Sequence, residues 1–432
     1  METRDITNNT VQSAGSADAD KRASLQRLTR RAFLGSGAVA GTGVVLTAPL
    51  LRNTPSESRS VILADHSDSH QAHSADSHRM GTVGTIGEDR QPVRPMHFLG
   101  AFNETEFPEL LPSDFHRESK LPNGTTLHEY FFIASDKEIE IAPGVYFPAW
   151  TYNGQVPAPT LRATKGDRIR IWFINEGSHP HTIHFHGWHP FEQDGSMLHQ
   201  FVYPTTKKAL EYPFGPGEDP TPWLKMDPMK RRRQGLEIYE FEADPVGLHL
   251  YHCHSLPLKR HIHKGLYGTF IVDPPGGRPK IDPHTNKALP PNHPLHEMVM
   301  VMNGFDTNFD GDNEVYAINS VAFHYQVNPI PVQIGDLVRI YLVNITEFDP
   351  INSFHLHAGF FRVYRTGTNL RSDEYTDMAM FCQGERAILE MRFRKGWPGK
   401  YMFHAHQSEF AELGWMALFD AQENAQERET SV

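Results

Sequence analysis

The chain has 432 residues, 39% of them hydrophobic, 11% aromatic and 22% charged, enough apolar material for two or three domain cores and too ordinary a balance for a disordered, collagen-like or coiled-coil protein. Formal net charge is −11, and the first 52 residues are the basic part, with seven Lys/Arg against four Asp/Glu, so the body of the chain is an unsuitable general binder of nucleic acid. Two cysteines, Cys253 and Cys382, exclude a disulfide framework, whereas the 26 histidines are an excess that clusters.

Thr29-Arg30-Arg31-Ala32-Phe33-Leu34 precedes a weakly apolar, Gly- and Ala-rich run that ends near Leu51. Paired arginines before such a run resemble a twin-arginine export signal over residues 1–52, which implies export to the periplasm or beyond the cell. The run is also long enough to span a bilayer, and no small-x-small cleavage site follows it, so a retained membrane anchor is the alternative. Residues 53–95 are polar, rich in Ser, Asp and His, and lack apolar periodicity, which predicts a disordered linker. His66, His70, His73 and His78 lie within it and read as a solvated tether, since nothing fixes a geometry for a metal-collecting arm.

From about Leu127 onward, short alternating or β-branched runs are punctuated by Gly, Pro, Asn and Asp, which predicts an all-β fold of antiparallel sandwiches with few helices. The pattern occurs twice. Gly166-Asp167 opens a strand ending at Asn175, and His184 and His186 follow; Gly335-Asp336 opens one ending at Asn344, and His355 and His357 follow. His252/His254 and His404/His406 then close the two halves, giving a first domain over 96–275 and a second over 290–425 with a Pro-rich link, Pro274 to Leu295. Lys230-Arg231-Arg232-Arg233, in a Pro-rich insert of about residues 204–236, reads as a solvated loop. Asp306-x-Asn308-x-Asp310-Gly311 starts like a calcium loop but has Ala317 at its twelfth position, so a hairpin turn is predicted. Cys382 reads as a buried structural thiol, and His189 and His199 as supporting or surface residues.

On a strand, side chains i and i+2 share a face. One face of the first half therefore offers His184, His186, His252 and His254, while Cys253 and His181 point the other way. The second half keeps four such histidines, but Ala405 stands at the place of Cys253 and Asn352 at that of His181.

His181-Thr182-Ile183-His184-Phe185-His186-Gly187 and His252-Cys253-His254, with the two pairs of the second half, resemble the copper signatures of multicopper oxidases over about residues 125–425. The chain is short for three-domain members and is similar to the two-domain, laccase-like branch, which implies two cupredoxin-like Greek-key β-sandwiches. Cysteine with two histidines and a weak axial group makes a type 1 copper centre. Cys253 and His181 supply two ligands and His261, on the loop after the cysteine, is the natural third, with His263 as its competitor. The family's axial position, five residues after that histidine, is Leu266, which cannot coordinate and so implies a three-coordinate copper of raised potential. By resemblance, His184 and His355 hold a type 2 copper, and His186, His252, His254, His357, His404 and His406 hold a type 3 pair, which makes four coppers per chain.

Each half supplies four of these ligands, and in the two-domain relatives the cluster lies between neighbouring subunits of a homotrimer. Electrons from Cys253 would reach a cluster ligand through one peptide on either side, and four of them with four protons reduce O₂ to water. Asp194 and Glu409 are the candidate proton carriers. The implied function is one-electron oxidation of a small reducing substrate, a phenol or aromatic amine, coupled to reduction of O₂. The alternatives are an oxidase of Mn(II) or Cu(I), of which the cuprous case lacks a Met-rich segment, a copper nitrite reductase, or a copper-binding protein without turnover. Nitrite reductases are two-cupredoxin trimers as well, but have a mononuclear type 2 site and an Asp at the position of His184. A binding protein has no need of a complete type 1 site wired to a cluster.

Overall fold

The computed structural model describes residues 98–99, 116–205 and 219–423, so the expected export signal and linker lie outside the described residues. In the first domain one sheet orders His116–Lys120, Thr126–Ala142, Arg168–Asn175 and Leu236–Glu242, with Val145–Tyr152 also on Thr126–Ala142. Its companion orders Leu161–Thr164, Tyr267–Asp273, Gly247–His252 and His184–Phe185. Inward residues of both sheets, among them Phe132, Ile171, Tyr251 and Phe270, form one core that also takes in Cys253 and Leu266. The second domain repeats the plan around Met300, Ile340, Phe354, Phe403 and Trp415. These are the two cupredoxin-like sandwiches of the expected all-β fold, and among the described residues the α-helices run only four to six residues.

The sheets are not purely antiparallel, as the alternating runs suggested. Thr126–Ala142 pairs parallel with Arg168–Asn175, and Leu161–Thr164 parallel with Tyr267–Asp273. The second half does the same with Leu295–Phe305 on Leu337–Asn344 and Ile330–Gln333 on Met416–Gln422. Parallel neighbours cannot be joined by a hairpin, so the chain crosses the opposite sheet between them. The repeat seen in sequence is thus a repeat of topology. Phe98–Leu99, near the expected start of the first domain, pairs antiparallel with Leu295–Phe305 of the second domain's sheet.

A third apolar cluster joins the domains. Ile139, Phe147, Leu248 and Leu250 of the first meet Val299, Val301, Tyr341 and Val343 of the second. Leu337–Asn344 is buried along its whole length because Val338, Ile340 and Leu342 face the second domain's core while Tyr341 and Val343 face this seam. At its edge, Arg162 pairs with Asp273 and Glu297, and the buried Arg339 with Glu297 and Glu390. Gly247–His252 carries the seam on one face, through Leu248 and Leu250, and the first core on the other, through Tyr251. Asp306–Asp312 forms the connection of an antiparallel pair, Leu295–Phe305 with Val315–Ile318, as the hairpin reading expects; the Asp306 carboxylate accepts the Asp310 and Gly311 amides.

Two sequence readings fail here. Arg231 and Arg232 belong to a helix, Pro228–Arg233, and are buried on Glu237, which is itself 1% exposed. A carboxylate in that position must be paired, and two guanidinium groups do it. Cys382 is exposed, because the edge strand Met378–Cys382 alternates and the cysteine falls on its outward parity.

Candidate metal centre

The thiol site forms where Gly247–His252 ends. Cys253 continues its register by donating its amide to the Leu266 carbonyl at 2.9 Å, which fixes Leu266 beside it. His261 sits on a helix, Leu258–His263, instead of the expected loop, and the chain returns from that helix through Gly265 at φ +112°, where a side chain would strike Val156. The turn aims His261 Nδ1 at Cys253 Sγ, 3.2 Å away; His181 Nδ1 lies 3.9 Å from the sulfur and 3.2 Å from His261 Nδ1. His263 points elsewhere: its Nε2 accepts the Asp306 amide at 2.9 Å, and Phe147 and Phe348 pack on its ring. Trp150 covers the thiol site, its ring against His181 and His261, with Arg260 over its face. Cys253, His181 and Leu266 are fully buried and His261 is 1% exposed, so the site is closed to bulk solvent. Burial holds His261 down to about 4 and His181 well below the ordinary value, and it pushes the Cys253 thiol up.

On the other face His184, His186, His252 and His254 form a quartet in which neighbouring ring centroids, five of the six pairs, lie 5.1 to 5.7 Å apart. The pairing of His184 with His252 across two strands sets the arrangement. His186 Nε2 and His252 Nε2 are 3.1 Å apart, and His252 Nδ1 donates to the Cys253 carbonyl at 2.9 Å. His184 Nδ1 donates to the Asp194 carbonyl at 3.0 Å, with the carboxylate Oδ1 at 3.2 Å. A carbonyl can only accept, so both rings carry their proton on Nδ1 and present an Nε2 lone pair. Burial, then the neighbouring imidazoles, keeps His186 near 2, whereas His252 is held at about 3 mainly by burial. Asp194 also accepts from Ser196 and lies 3.4 Å from His189 Nε2. Burial opposes its ionisation, but the Ser196 hydroxyl and the imidazoles of His184 and His189 outweigh this and hold the carboxyl below its usual range. Arg232 braces the same segment by donating to the carbonyls of Glu192 and His199, both at 3.1 Å.

The second quartet repeats the ring and carbonyl contacts of the first. His355 pairs with His404 across strands, His357 Nε2 is 2.9 Å from His404 Nε2, and His404 Nδ1 donates to the Ala405 carbonyl at 2.6 Å. His355 Nδ1 donates to the Asp377 carbonyl at 3.0 Å, as His184 does to that of Asp194. The last histidine of each half is held through its amide, which donates to Thr182 Oγ1 for His254 and to Ser353 Oγ for His406. Among the described residues no ring of one quartet meets a ring of the other. A cleft of about 350 Å³ opens over His355, His357, Asp377, Tyr375 and Trp397. Glu409 is exposed on the helix Ser408–Glu412, and no described hydrogen bond or ion pair joins its side chain to the quartet.

The copied framework carries no thiol site in the second half. Ala405 donates its amide to the Trp415 carbonyl as Cys253 does to Leu266, and Gly414 makes the same turn at φ +129°. Counting back from Trp415, Phe410 takes the place of His261. Phe410, Trp415 and Ala405 pack together in the core, and Asn352 turns aside to donate to Thr346 Oγ1 at 3.1 Å.

Asp377, Thr182, Ser353 and Phe410 were not singled out from sequence. Aligning the two halves on their His-x-His pairs would have found Thr182 and Ser353, each two residues before a pair. Asp377 carries no such signal, because it follows His355 by a different interval than Asp194 follows His184.

The donors fit copper. Two imidazole Nδ1 atoms and a thiol sulfur converge in a buried site, and in each quartet backbone carbonyls fix the tautomers of two imidazoles, leaving Nε2 free as copper in imidazole and thiolate surroundings requires.

Residues 134–237 and 289–425 each match a family model described as multicopper oxidase. A solved structure described as a multicopper oxidase is 46% identical, with a TM-score of 0.59 over 73% of this chain and 96% of that one. The copper-containing nitrite reductase of Neisseria gonorrhoeae is 27% identical over 291 residues, 63% of this chain and 62% of its own length, so the chain spans less than two thirds of that relative. The L-ascorbate oxidase of Cucurbita maxima is 32% identical over 150 residues, 35% of this chain and 20% of that protein. A copper nitrite reductase from Nitrosomonas europaea, 22% identical with a TM-score of 0.53 over 68% of this chain and 94% of that one, shares the fold.

Proposed function

The chain belongs to the multicopper oxidase family and is a copper oxidoreductase, and on that premise we propose that it couples one-electron oxidation of a small reducing substrate, laccase-like, to four-electron reduction of O₂ to water. The observation that carries the reading is the pair of matched quartets beside a single thiol site. Bound copper supplies electron acceptance at Cys253 and oxygen reduction at the histidines.

The chain's own residues have separable tasks. Cys253, His181 and His261 bind the first metal, while Leu266 and Trp150 keep water out. Leu266, buried beside Cys253, would offer a bound copper no further donor, which would favour its reduced state. His252 and His254 flank Cys253, so one peptide on either side would link the thiol to a ligand of the other site. Asp194, ionised at neutral pH and 20% exposed, is placed with Oδ1 beside His184 to accept a proton from solvent and pass it on.

The cluster's place is between subunits of a homotrimer. Supporting this, His357 and His406 are exposed, and large apolar side chains lie uncovered in the segments that carry the quartets: Trp188, Phe191 and Leu198 in the first domain, Phe360, Met378 and Met380 in the second. The seam already commits the two domains of one chain to each other, so a second chain is what remains to cover these faces. The Arg30-Arg31 segment supports export by the twin-arginine route.

Nitrite reduction is the second reading, on the strength of the Neisseria relatives. His184 at the place of that family's aspartate, and eight paired imidazoles, favour oxygen instead. The test is a copper count with an optical spectrum and oxygen uptake with a phenol. Four coppers per chain, one of them blue, with oxygen consumption, is the expected result; two coppers with nitrite turnover would overturn it.

A further inference from the structure

A second group of metal donors stands on the opposite sheet of the first domain, built by a hairpin that takes no part in the sites above. His116–Lys120 pairs antiparallel with Thr126–Ala142 so that His116 opposes Tyr130 and Glu118 opposes His128. Residues two apart share a face, and directly opposed residues share it too, so these four side chains form a square. His116 Nε2 and His128 Nδ1 lie 3.0 Å apart. Glu118 Oε1 is 3.8 Å from the first and 3.4 Å from the second.

The orientation of His128 is decided from behind. Its Nε2 lies 3.0 Å from Asp167 Oδ2, which also accepts the Thr164 amide at 2.9 Å. The carboxylate takes the proton of Nε2, so the Nδ1 lone pair points into the square, in the carboxylate–histidine arrangement that orients metal ligands. Tyr130 fixes the other ring by stacking on His116 at 4.4 Å between centroids, and its own hydroxyl is tied to the Arg162 carbonyl at 2.7 Å.

We propose that His116, His128 and Glu118 form a binding site for a divalent transition metal such as Zn²⁺, separate from the oxidase coppers, that clips the edge strand His116–Lys120 to the sheet. Zinc–nitrogen and zinc–oxygen bonds of about 2.1 Å at tetrahedral angles put ligand atoms roughly 3.4 Å apart, and the three separations observed here bracket that spacing. A shared proton could join the two nitrogens, but it gives no reason for a carboxylate at the third corner. Water would complete the tetrahedron on the solvent side, where Glu118 is exposed.

The test uses the full, copper-loaded protein dialysed against ZnCl₂, with zinc and copper counted by elemental analysis. The wild type should hold one zinc per chain more than His116→Gln at unchanged copper content, and the difference removes any zinc taken by the His-rich N-terminal segment. Glu118→Gln, at an exposed position that does not threaten folding, should weaken zinc binding at least tenfold, and Asp167→Asn by ten- to a hundredfold. Zinc should raise the melting temperature of the wild type more than that of His116→Gln. Equal zinc uptake by wild type and His116→Gln, or unchanged affinity in Glu118→Gln, would overturn the proposal. Neither outcome bears on the oxidase reading, since no oxidase ligand is altered.

Discussion

Replacing Asp194 by asparagine separates its two jobs. The backbone carbonyl holds His184 Nδ1 at 3.0 Å and survives the substitution, so metal binding at His184 should persist. The carboxylate Oδ1, 3.2 Å from the same nitrogen, loses its capacity to carry a proton. A positioned general acid or base contributes about 10²- to 10⁴-fold. Asp194 is 20% exposed, so water can take over part of the transfer, and the loss should sit near the lower end, about a hundredfold or ~2.7 kcal/mol of barrier. The assay is steady-state oxygen uptake across pH, paired with anaerobic bleaching of the blue band by the reducing substrate. Bleaching should be unchanged while oxygen uptake falls. Uptake within threefold of wild type would refute a proton-carrying role, and lost copper would show that the carboxylate, not the carbonyl, holds His184.

Leu266→Met should add a weak thioether beside Cys253 and lower the potential of the blue copper; since the swap nearly conserves volume, it should cost under about 1.5 kcal/mol of stability, and an unchanged potential and spectrum would place Leu266 outside the metal's reach. Mixing subunits that carry His184→Ala and His186→Ala with subunits that carry His355→Ala and His357→Ala, after dissociation, should restore activity if clusters lie between chains; no recovery would put them within one chain. Arg339→Met would leave the fully buried Glu390 with the Tyr364 hydroxyl at 2.9 Å as its remaining partner named here, a loss of about 3–5 kcal/mol in denaturant melts, and adding Glu390→Leu should recover most of it. Glu297 is opposed by burial but held below its usual value of 4.5 by Arg162, Tyr341 and Arg339. Its stabilisation is therefore complete above that value and lost as pH falls through the lower folded value, and Glu297→Gln should flatten this acid limb.

Parity along the strands was enough to sort the histidines of the first half into two groups, because a period of two is a property of the backbone and survives whatever the loops do. It failed where short-range pattern does not carry the information. His261 and His263 have the same parity and similar spacing, and only the helical turn before Gly265 sends one toward Cys253 and the other to Asp306. Parallel pairing depends on which strands cross the sandwich, a long-range choice that alternating residues do not encode. The basic run misled for a related reason: Arg231 and Arg232 look solvated until Glu237, buried on the next strand, requires them. Cys382 was judged by residue type, when the parity of its edge strand decides its exposure.

On the proposed reading, the packing of Trp415, Phe410 and Ala405 makes the molecule a series circuit. Had both halves kept a thiolate, oxygen chemistry seated between them could draw current from two sides, and a lesion on one would be bypassed. As built, each chain has a single inlet, and the ring proposed above is three independent circuits sharing one frame. Poisoning Cys253 in a fraction of chains should then subtract turnover in simple proportion to that fraction, with no threshold and no dominance of damaged chains over sound ones.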